Sequence, residues 1–316
     1  MQIKCHAYSV QKYGDAKEEN QDAYSACQSG DHDSPKFFRA VISDGASASV
    51  LSRTWAQLIV ESYSDPTFED DEVPGPRLTQ LRESWAKIAE NHKVPYFAED
   101  KLRTGSFATL TVLKIHAPED GSNSGKFSAF AIGDSCLFQI RDRRVITQFP
   151  LTSGDKFTSC PPLVVSKPND HDKYLHHHPK IEGQWNSGDE FLLMTDALSC
   201  WFLENCIQDA RQLAKITSIE SCEEFESFIQ EQRFLKDDDG AWKMENDDST
   251  MIKVIVHQET QSENKPVSVK TPLRKSADSI ELSANKMFRT YWLPILSILS
   301  AAVITQFLLA NRSRKH

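Results

Sequence analysis

Apolar, strand-like runs that end or begin at an aspartate are the feature that most limits how this sequence can fold. Asp44 follows FFRAVIS, Asp134 follows FSAFAIG, Asp196 follows EFLLMT, and Asp247 comes just before DSTMIKVIV. A carboxylate beside a buried strand costs free energy unless a cation compensates its charge. Because the pattern recurs in distant segments, we expect these strand ends to converge on a site that binds hard divalent cations through oxygen.

Strand-like and helical patterns alternate over residues 1–257 and predict one α+β domain. The strand candidates are rich in β-branched and aromatic residues and include CHAYSV, DAYSAC, FATLTVLKI, CLFQI and TMIKVIV. Three of them, at 107–115, 126–132 and 136–140, follow one another without a helix, which predicts an antiparallel meander.

Helical spacing of apolar residues predicts helices over 49–63, 78–92, 198–206 and 222–234. Ser47 and Ser49 can cap the first of these helices, because a serine hydroxyl accepts a hydrogen bond from a free amide in the first turn. Its apolar face, which includes Trp55 and Ile59, should pack on a sheet.

The composition changes after His257, and three further segments are predicted. Residues 258–288 are polar and are interpreted as a flexible linker. Residues 289–311 are interpreted as a transmembrane anchor, because 291–310 is an uncharged apolar run long enough to cross a bilayer core. A buried core helix is the alternative for this run. The last residues, 312–316, form a short basic tail.

The charge and cysteine content exclude some classes of function. The formal net charge of −9 over 316 residues, with no basic patch in the domain, argues against a nucleic-acid partner. The seven cysteines include no CxxC pair and fit reduced thiols rather than a disulfide framework. The first residues lack the apolar core of a signal peptide, so we expect the domain to remain in the cytoplasm.

Six segments occur in an order that points to one family: KEENQDAY, AVISDGASAS, GSFATLTVLKI, FAIGDSCLF, LLMTDALSCWF and NDDSTMIKVIV. Together they resemble the metal-dependent serine/threonine protein phosphatases of type 2C, in a bacterial-like variant. The resemblance covers nearly all of the globular part. It implies a four-layer α-β-β-α sandwich, with two central antiparallel sheets and a centre of two Mg²⁺ or Mn²⁺ ions, and a third ion in several members.

The resemblance also implies a role for each residue that matches a motif. Asp44 would bridge the two metals, and Gly45 would give its backbone carbonyl to one of them. Asp196 and Asp247 would complete the shell of the other ion. Asp134 would help to hold the third metal. Asp22 would hold metal-bound water, and Lys17 falls where the family places a phosphate-binding arginine.

Three departures from the family pattern affect the predicted chemistry. Lys17 replaces an arginine and so lacks its bidentate fork. Ala46 stands where animal members have a histidine proposed as general acid, which leaves that role unassigned. Cys136 replaces the arginine that often follows GDS in the family.

The resemblance implies hydrolysis of phosphoserine and phosphothreonine in proteins by a metal-activated water. Such proteins, and a cognate serine/threonine kinase, are the expected partners, together with membrane lipid around residues 291–310. Two other functions remain open. One is a catalytically silent phosphatase-like module that binds phosphoproteins or scaffolds a membrane complex, and the other is a metal-dependent hydrolase of small phosphoesters.

Overall fold

The structure is a computed structural model that describes residues 1–257 except 32–33, 67–72, 119–121, 155–156, 159–160, 169–171 and 238. A compact unit spans Met1–Gln261. The predicted linker, anchor and basic tail lie outside the described residues. Within the part that is described, no helix is both long and apolar enough to cross a membrane.

Two five-stranded antiparallel sheets form the centre of the molecule. The first sheet has the order β1 (Gln2–Val10), β12 (Ser249–His257), β11 (Glu190–Met194), β7 (Cys136–Arg141) and β8 (Arg144–Phe149). The second has the order β10 (Lys180–Asn186), β6 (Ser124–Ile132), β5 (Leu110–His116), β3 (Ser34–Ser43) and β2 (Ala23–Asp31). A short ladder joins β4 (Phe107–Ala108) to β9 (Val164–Val165).

Alternation along the strands explains why the sheets pack face to face. In β11, Phe191 and Leu193 belong to the core between the two sheets. Leu192 and Met194 belong to a second core on the outer face of the first sheet. Because successive side chains of a strand point to opposite faces, a strand that is apolar at every position must be covered on both sides.

Helices cover both outer faces of the sandwich. The second sheet is covered by α1 (Ser52–Ser64) and α2 (Pro76–Asn91). The short helices α3 (Glu99–Thr104) and α4 (Asp172–Leu175) follow later in the chain. The first sheet is covered by α5 (Asp196–Asn205), α6 (Ala210–Thr217) and α7 (Cys222–Phe234). The layers therefore follow the order α-β-β-α that the resemblance implied.

The predicted helices are confirmed, with shifted ends, and α7 has the predicted bounds. The predicted serine cap of α1 is wrong: the residue before the helix is Leu51, in a left-handed conformation with φ of 61°. The Ser49 hydroxyl instead donates to the Ala46 carbonyl and accepts from the Phe107 amide. Ser49 therefore fixes the loop that leads into α1.

The predicted meander is wrong in its last strand. β5 and β6 are paired in the second sheet, but β7 lies in the first sheet. The chain crosses from one sheet to the other at Gly133, whose φ of +107° is open to glycine and strained for other residues. Two hydrophobic strands close together in sequence do not reveal whether they belong to one sheet or to two.

Candidate metal centre

One edge of the sandwich collects the strand ends that carry the predicted site residues. In the first sheet, the ends of β1 and β11 lie beside the start of β12. In the second sheet, the start of β2 lies beside the end of β3, and the end of β6 is at the same edge. The five predicted aspartates, Asp22, Asp44, Asp134, Asp196 and Asp247, lie within two residues of these ends, and so does Asp248.

Asp22 joins the two sheets at this edge. Its Oδ2 accepts hydrogen bonds from Thr250 Oγ1 at 2.7 Å and from Thr195 Oγ1 at 3.1 Å, both of which belong to the first sheet or its edge. Its buried Oδ1, like Gln21 Oε1 beside it, has no hydrogen-bond partner among the described residues. A buried acceptor without a donor is rare, and bound water or a cation would satisfy it.

The orientation of the Thr250 hydroxyl follows from its neighbours. Ser9 Oγ lies 2.8 Å from Thr250 Oγ1. Because Thr250 gives its one hydroxyl proton to Asp22, Ser9 must be the donor in this pair. Asn20 Nδ2 in turn donates to Ser9 Oγ at 3.0 Å. Asp22 is thus the final acceptor of an ordered chain of donors, although burial still raises the pKa of its carboxyl group well above the usual value.

Backbone pairing fixes the loop that carries Asp44. The Asp44 amide donates to Thr109 Oγ1 at 2.8 Å, and the Thr109 amide donates to the Asp44 carbonyl at 2.8 Å. The next residue must be small, because a Cβ on Gly45 would lie 2.7 Å from the Gln21 carbonyl oxygen. Glycine at this position lets the Asp44 loop approach the segment that carries Asp22.

Asp196 and Asp134 approach the same edge from the first sheet and from the crossing between the sheets. Asp196 is the first residue of α5, and its Oδ1 accepts from the Ala197 amide at 2.5 Å. A helix N-terminus stabilises negative charge. Asp134 is buried and follows the left-handed Gly133.

Lys12 is a site residue that the sequence did not reveal. Its Nζ lies 2.6 Å from Asp247 Oδ1 and 3.4 Å from Ser47 Oγ, in the loop after Asp44. Burial lowers the pKa of Lys12, but the hydrogen bond and charge of Asp247, with the charges of Asp248 and Asp15, outweigh this effect and the net pKa is raised. Lys12 is therefore a charged cation within the acidic edge.

Asp248 and Arg233 hold the Lys12 and Asp247 segments together, and both were missed from sequence. Asp248 accepts from the amides of Lys12 and Gln21, each at 2.8 Å. The Arg233 guanidinium, on α7, donates to the Gln11 carbonyl at 2.9 Å and to the carbonyl of Asp247. These contacts fix backbone on both sides of the site.

Lys17 does not join the acidic edge. It lies in a one-turn 3-10 helix, Lys17–Glu19, with its side chain exposed. Among the described residues, its ammonium group makes no hydrogen bond to any of the aspartates. Hydrogen bonding at the start of α7, and in smaller part the charge of Lys17, lower the pKa of Glu223. The structure thus brings Lys12, rather than Lys17, to the carboxylates.

The aspartates act on one another electrostatically. Burial is the largest cause that raises the pKa of Asp44 well above its usual value, and the charges of Asp22, Asp196, Asp247 and Asp134 raise it further. Burial, then Asp134 and Asp247, raise the pKa of Asp196 to about 7. Burial raises the pKa of Asp134 to about 6. Such mutual repulsion is relieved by bound cations.

The donor set fits a hard divalent cation, since it consists of carboxylates and an unsatisfied amide oxygen. The carboxylates are nevertheless not arranged as a closed site: no group of three or more His, Cys, Asp or Glu side chains in the described residues could hold an ion. Asp247 is instead paired with Lys12. Binding would require these side chains to turn toward a common point.

The two other departures from the family pattern, Ala46 and Cys136, lie where the structure gives them packing or backbone contacts. The Ala46 amide donates to the Phe107 carbonyl at 2.9 Å, and its methyl group carries no proton to donate. Cys136 is completely buried, and burial raises the pKa of its thiol to about 12. A neutral thiol packed in the core cannot replace the charge of an arginine.

Comparison with known proteins gives matches among solved structures. Neither the protein-family models nor the curated proteins give a match. The serine/threonine phosphatase of S. agalactiae has a TM-score of 0.50 at 11% identity, covering 81% of this chain and 100% of that one. The catalytic domain of the serine threonine protein phosphatase PstP, in complex with two manganese ions, has a TM-score of 0.46 at 19% identity and covers 81% and 98%. The photosystem II phosphatase PBCP has a TM-score of 0.46 at 16% identity and covers 82% and 100%. At such identities a likeness concerns the fold alone, and the domain has the fold of the S. agalactiae serine/threonine phosphatase.

Proposed function

We propose that this protein is a metal-dependent phosphatase that hydrolyses phosphoserine and phosphothreonine in proteins. The observation that carries the proposal is the convergence of Asp22, Asp44, Asp134, Asp196 and Asp247 on one edge of the sandwich, where burial, and then neighbouring carboxylate charges, raise the pKa values of Asp22, Asp44 and Asp196. A fold likeness to a serine/threonine phosphatase and six motifs in family order support the same substrate class.

The proposed metal ligands are Asp44, the Gly45 carbonyl, Asp196 and Asp247, with Asp134 at a third ion. Mg²⁺ or Mn²⁺ bound among them would neutralise phosphoryl charge and make water a nucleophile at neutral pH. Asp22 is held by two hydroxyl donors, and its free Oδ1 is available to orient a water molecule.

Lys12 is the proposed phosphate-attracting cation in place of Lys17. Its ammonium group has three donors, of which Asp247 and Ser47 take two. The third donor can point at a phosphate oxygen. As a point charge, Lys12 would attract phosphate without the bidentate geometry of arginine.

The proposal is tested by replacing single carboxylates. Asp44→Asn and Asp196→Asn should each lower Mn²⁺-dependent hydrolysis of p-nitrophenyl phosphate by about 100-fold or more, because several kcal/mol of charge stabilisation are lost. Asp142→Asn is the matched control: Asp142 is exposed and its left-handed φ of 50° suits asparagine equally well. Wild-type activity in both site variants would contradict the proposal. Faster turnover of phosphopeptides than of small phosphomonoesters would separate a protein phosphatase from a hydrolase of small phosphoesters.

A catalytically silent phosphoprotein-binding module is the second candidate function. The pairing of Lys12 with Asp247 at 2.6 Å favours it, since the ammonium group of the protein can take the place of a metal ion beside this carboxylate. A silent module would bind phosphopeptides with equal affinity in Mn²⁺ and in EDTA and release no phosphate. Metal-dependent release of phosphate would exclude it.

We further propose that the domain is tethered to a membrane by residues 289–311, with the domain on the cytoplasmic face. The support is the apolar run and its flanking basic residues. A chain cut after residue 257 should then be soluble and keep its activity. The full chain should partition into the membrane fraction and resist extraction by high salt; its release by salt alone would contradict the tether.

A further inference from the structure

A cavity of about 590 Å³ lies away from the acidic edge, between α2, α3 and the segment after β9. Its size is in the range of ligand-binding clefts. None of the five aspartates lines it. Its use is therefore not explained by the proposed metal chemistry.

Five of the ten residues that line the cavity are apolar or aromatic, and the other five are charged. Trp85 is only 1% exposed, and its indole nitrogen donates to Ser106 Oγ at 2.9 Å, which fixes the ring. Ala89 and Leu102 pack partly buried against the core beneath α1 and α2. Tyr96 is 88% exposed although it belongs to the lining. A large aromatic side chain that remains exposed beside a cleft is typical of a binding surface.

The cationic groups around the cavity have partners, whereas two of its carboxylates form no ion pair with the described residues. Lys167 Nζ donates to the Arg103 carbonyl at 2.9 Å and lies 5.6 Å from the centre of the Trp85 ring. The Arg103 guanidinium is paired with Asp100. Both cations of the lining are thus engaged. The exposed carboxylates of Glu90 and Glu99 form no ion pair within the described part of the chain.

We propose that this cavity is a docking site for an extended peptide segment of a partner protein that carries a Lys or Arg between apolar side chains. The apolar side chains would fill the cleft over Ala89 and Leu102 and against Tyr96. The cation would meet the two free carboxylates, Glu90 and Glu99, and could lie over the Tyr96 ring. An anionic ligand is disfavoured by the same two carboxylates.

The inference is independent of the proposed phosphatase activity, because it concerns binding alone. The test uses the full chain and the peptide Gly-Ser-Gly-Leu-Arg-Leu-Gly-Ser-Gly, which contains no phosphate and carries a net-neutral dye. Fluorescence anisotropy should show saturable binding below about 1 mM. The same peptide with Glu in place of Arg should bind at least about tenfold more weakly, a difference of about 1.4 kcal/mol.

Two variants test the assignment of the site. The double variant Glu90→Gln, Glu99→Gln should bind the Arg peptide about tenfold more weakly than the wild type. Tyr96→Ala should lower the affinity for both peptides. These side chains are exposed, so the fold should survive, as a thermal melt would check. Glu226→Gln with Glu231→Gln, the same charge change on exposed positions of α7, is the control and should bind like the wild type. Failure of the wild type to bind, equal affinity for both peptides, or an equal loss in the control pair would overturn the docking site.

Discussion

The two ends of β11 place aspartates in opposite surroundings. Asp189, just before the strand, is 1% exposed and accepts hydrogen bonds from Arg141 at 2.7 and 2.8 Å, from Gln139 at 2.8 Å and from the Asn186 amide at 2.9 Å. Asp196, just after the strand, has one backbone donor, and burial together with neighbouring carboxylates raises its pKa. A buried charge that is compensated supports the fold, whereas uncompensated charges cost stability and mark a site.

The largest change in the free energy of unfolding is expected at Asp189, the end of β11 where the charge is compensated. Asp189→Asn should lower the free energy of unfolding by about 2–3 kcal/mol, because Arg141 loses its anionic partner while remaining partly exposed. Urea unfolding measures this loss. Activity per folded molecule should stay at the wild-type level. An Asp189→Asn protein as stable as the wild type would contradict the claim that the compensated charge of Asp189 supports the fold.

At the acidic end the same substitution should have the opposite sign. In EDTA at about pH 8, Asp196→Asn should raise the free energy of unfolding by about 1–2 kcal/mol, because one of several repelling charges is removed. The same urea experiment applies. A loss comparable to that of Asp189→Asn would mean that Asp196 is held by compensating contacts after all.

The pH dependence of stability should also reveal the acidic end. The pKa of Asp196 is raised from 3.8 to about 7 and that of Asp134 to about 6 on folding, so the folded protein binds these protons more tightly than the unfolded chain. Their contribution is therefore fully present below about pH 4 and is lost as the pH rises through 6 to 7. In EDTA, the unfolding free energy should fall over this range, and Asp196→Asn should flatten the upper part of this decrease. An unfolding free energy that rises between pH 6 and 7 in the wild type, and not in Asp196→Asn, would contradict the raised pKa of Asp196.

The smallest effect separates the two candidate phosphate-binding lysines. Lys12→Met should weaken inhibition by inorganic phosphate by about three- to tenfold and tighten Mn²⁺ binding, because Asp247 loses its internal partner. Lys17→Met, which removes an exposed lysine, is the matched control. A larger effect of Lys17→Met on phosphate inhibition would restore the assignment made from sequence.

Local patterns were sufficient to predict much of the fold. Alternating and continuous apolar runs predicted the strands, and the spacing of residues such as Trp55 and Ile59 predicted the buried face of α1. The sheet that each strand joins was not available from such patterns. The crossing at Gly133 depends on which surface the following strand covers, and this is decided by packing across the whole domain.

The same limit applies to the site. Asp44, Asp196 and Asp247 stood out because each interrupts an apolar run. Lys12 did not, because its contact with Asp247 spans 235 positions and exists only when β1 pairs with β12. Asp189 has the sequence surroundings of an ordinary strand start, and only Arg141 on the neighbouring strand shows that its charge is compensated.

Calorimetric titration with Mn²⁺ tests most directly whether the uncompensated end of the sandwich is a metal centre. The wild type should bind Mn²⁺ with micromolar affinity, Asp189→Asn should bind it equally well, and Asp44→Asn should bind it at least about tenfold more weakly. Absence of Mn²⁺ binding by the wild type, or unchanged binding by Asp44→Asn, would contradict the metal centre.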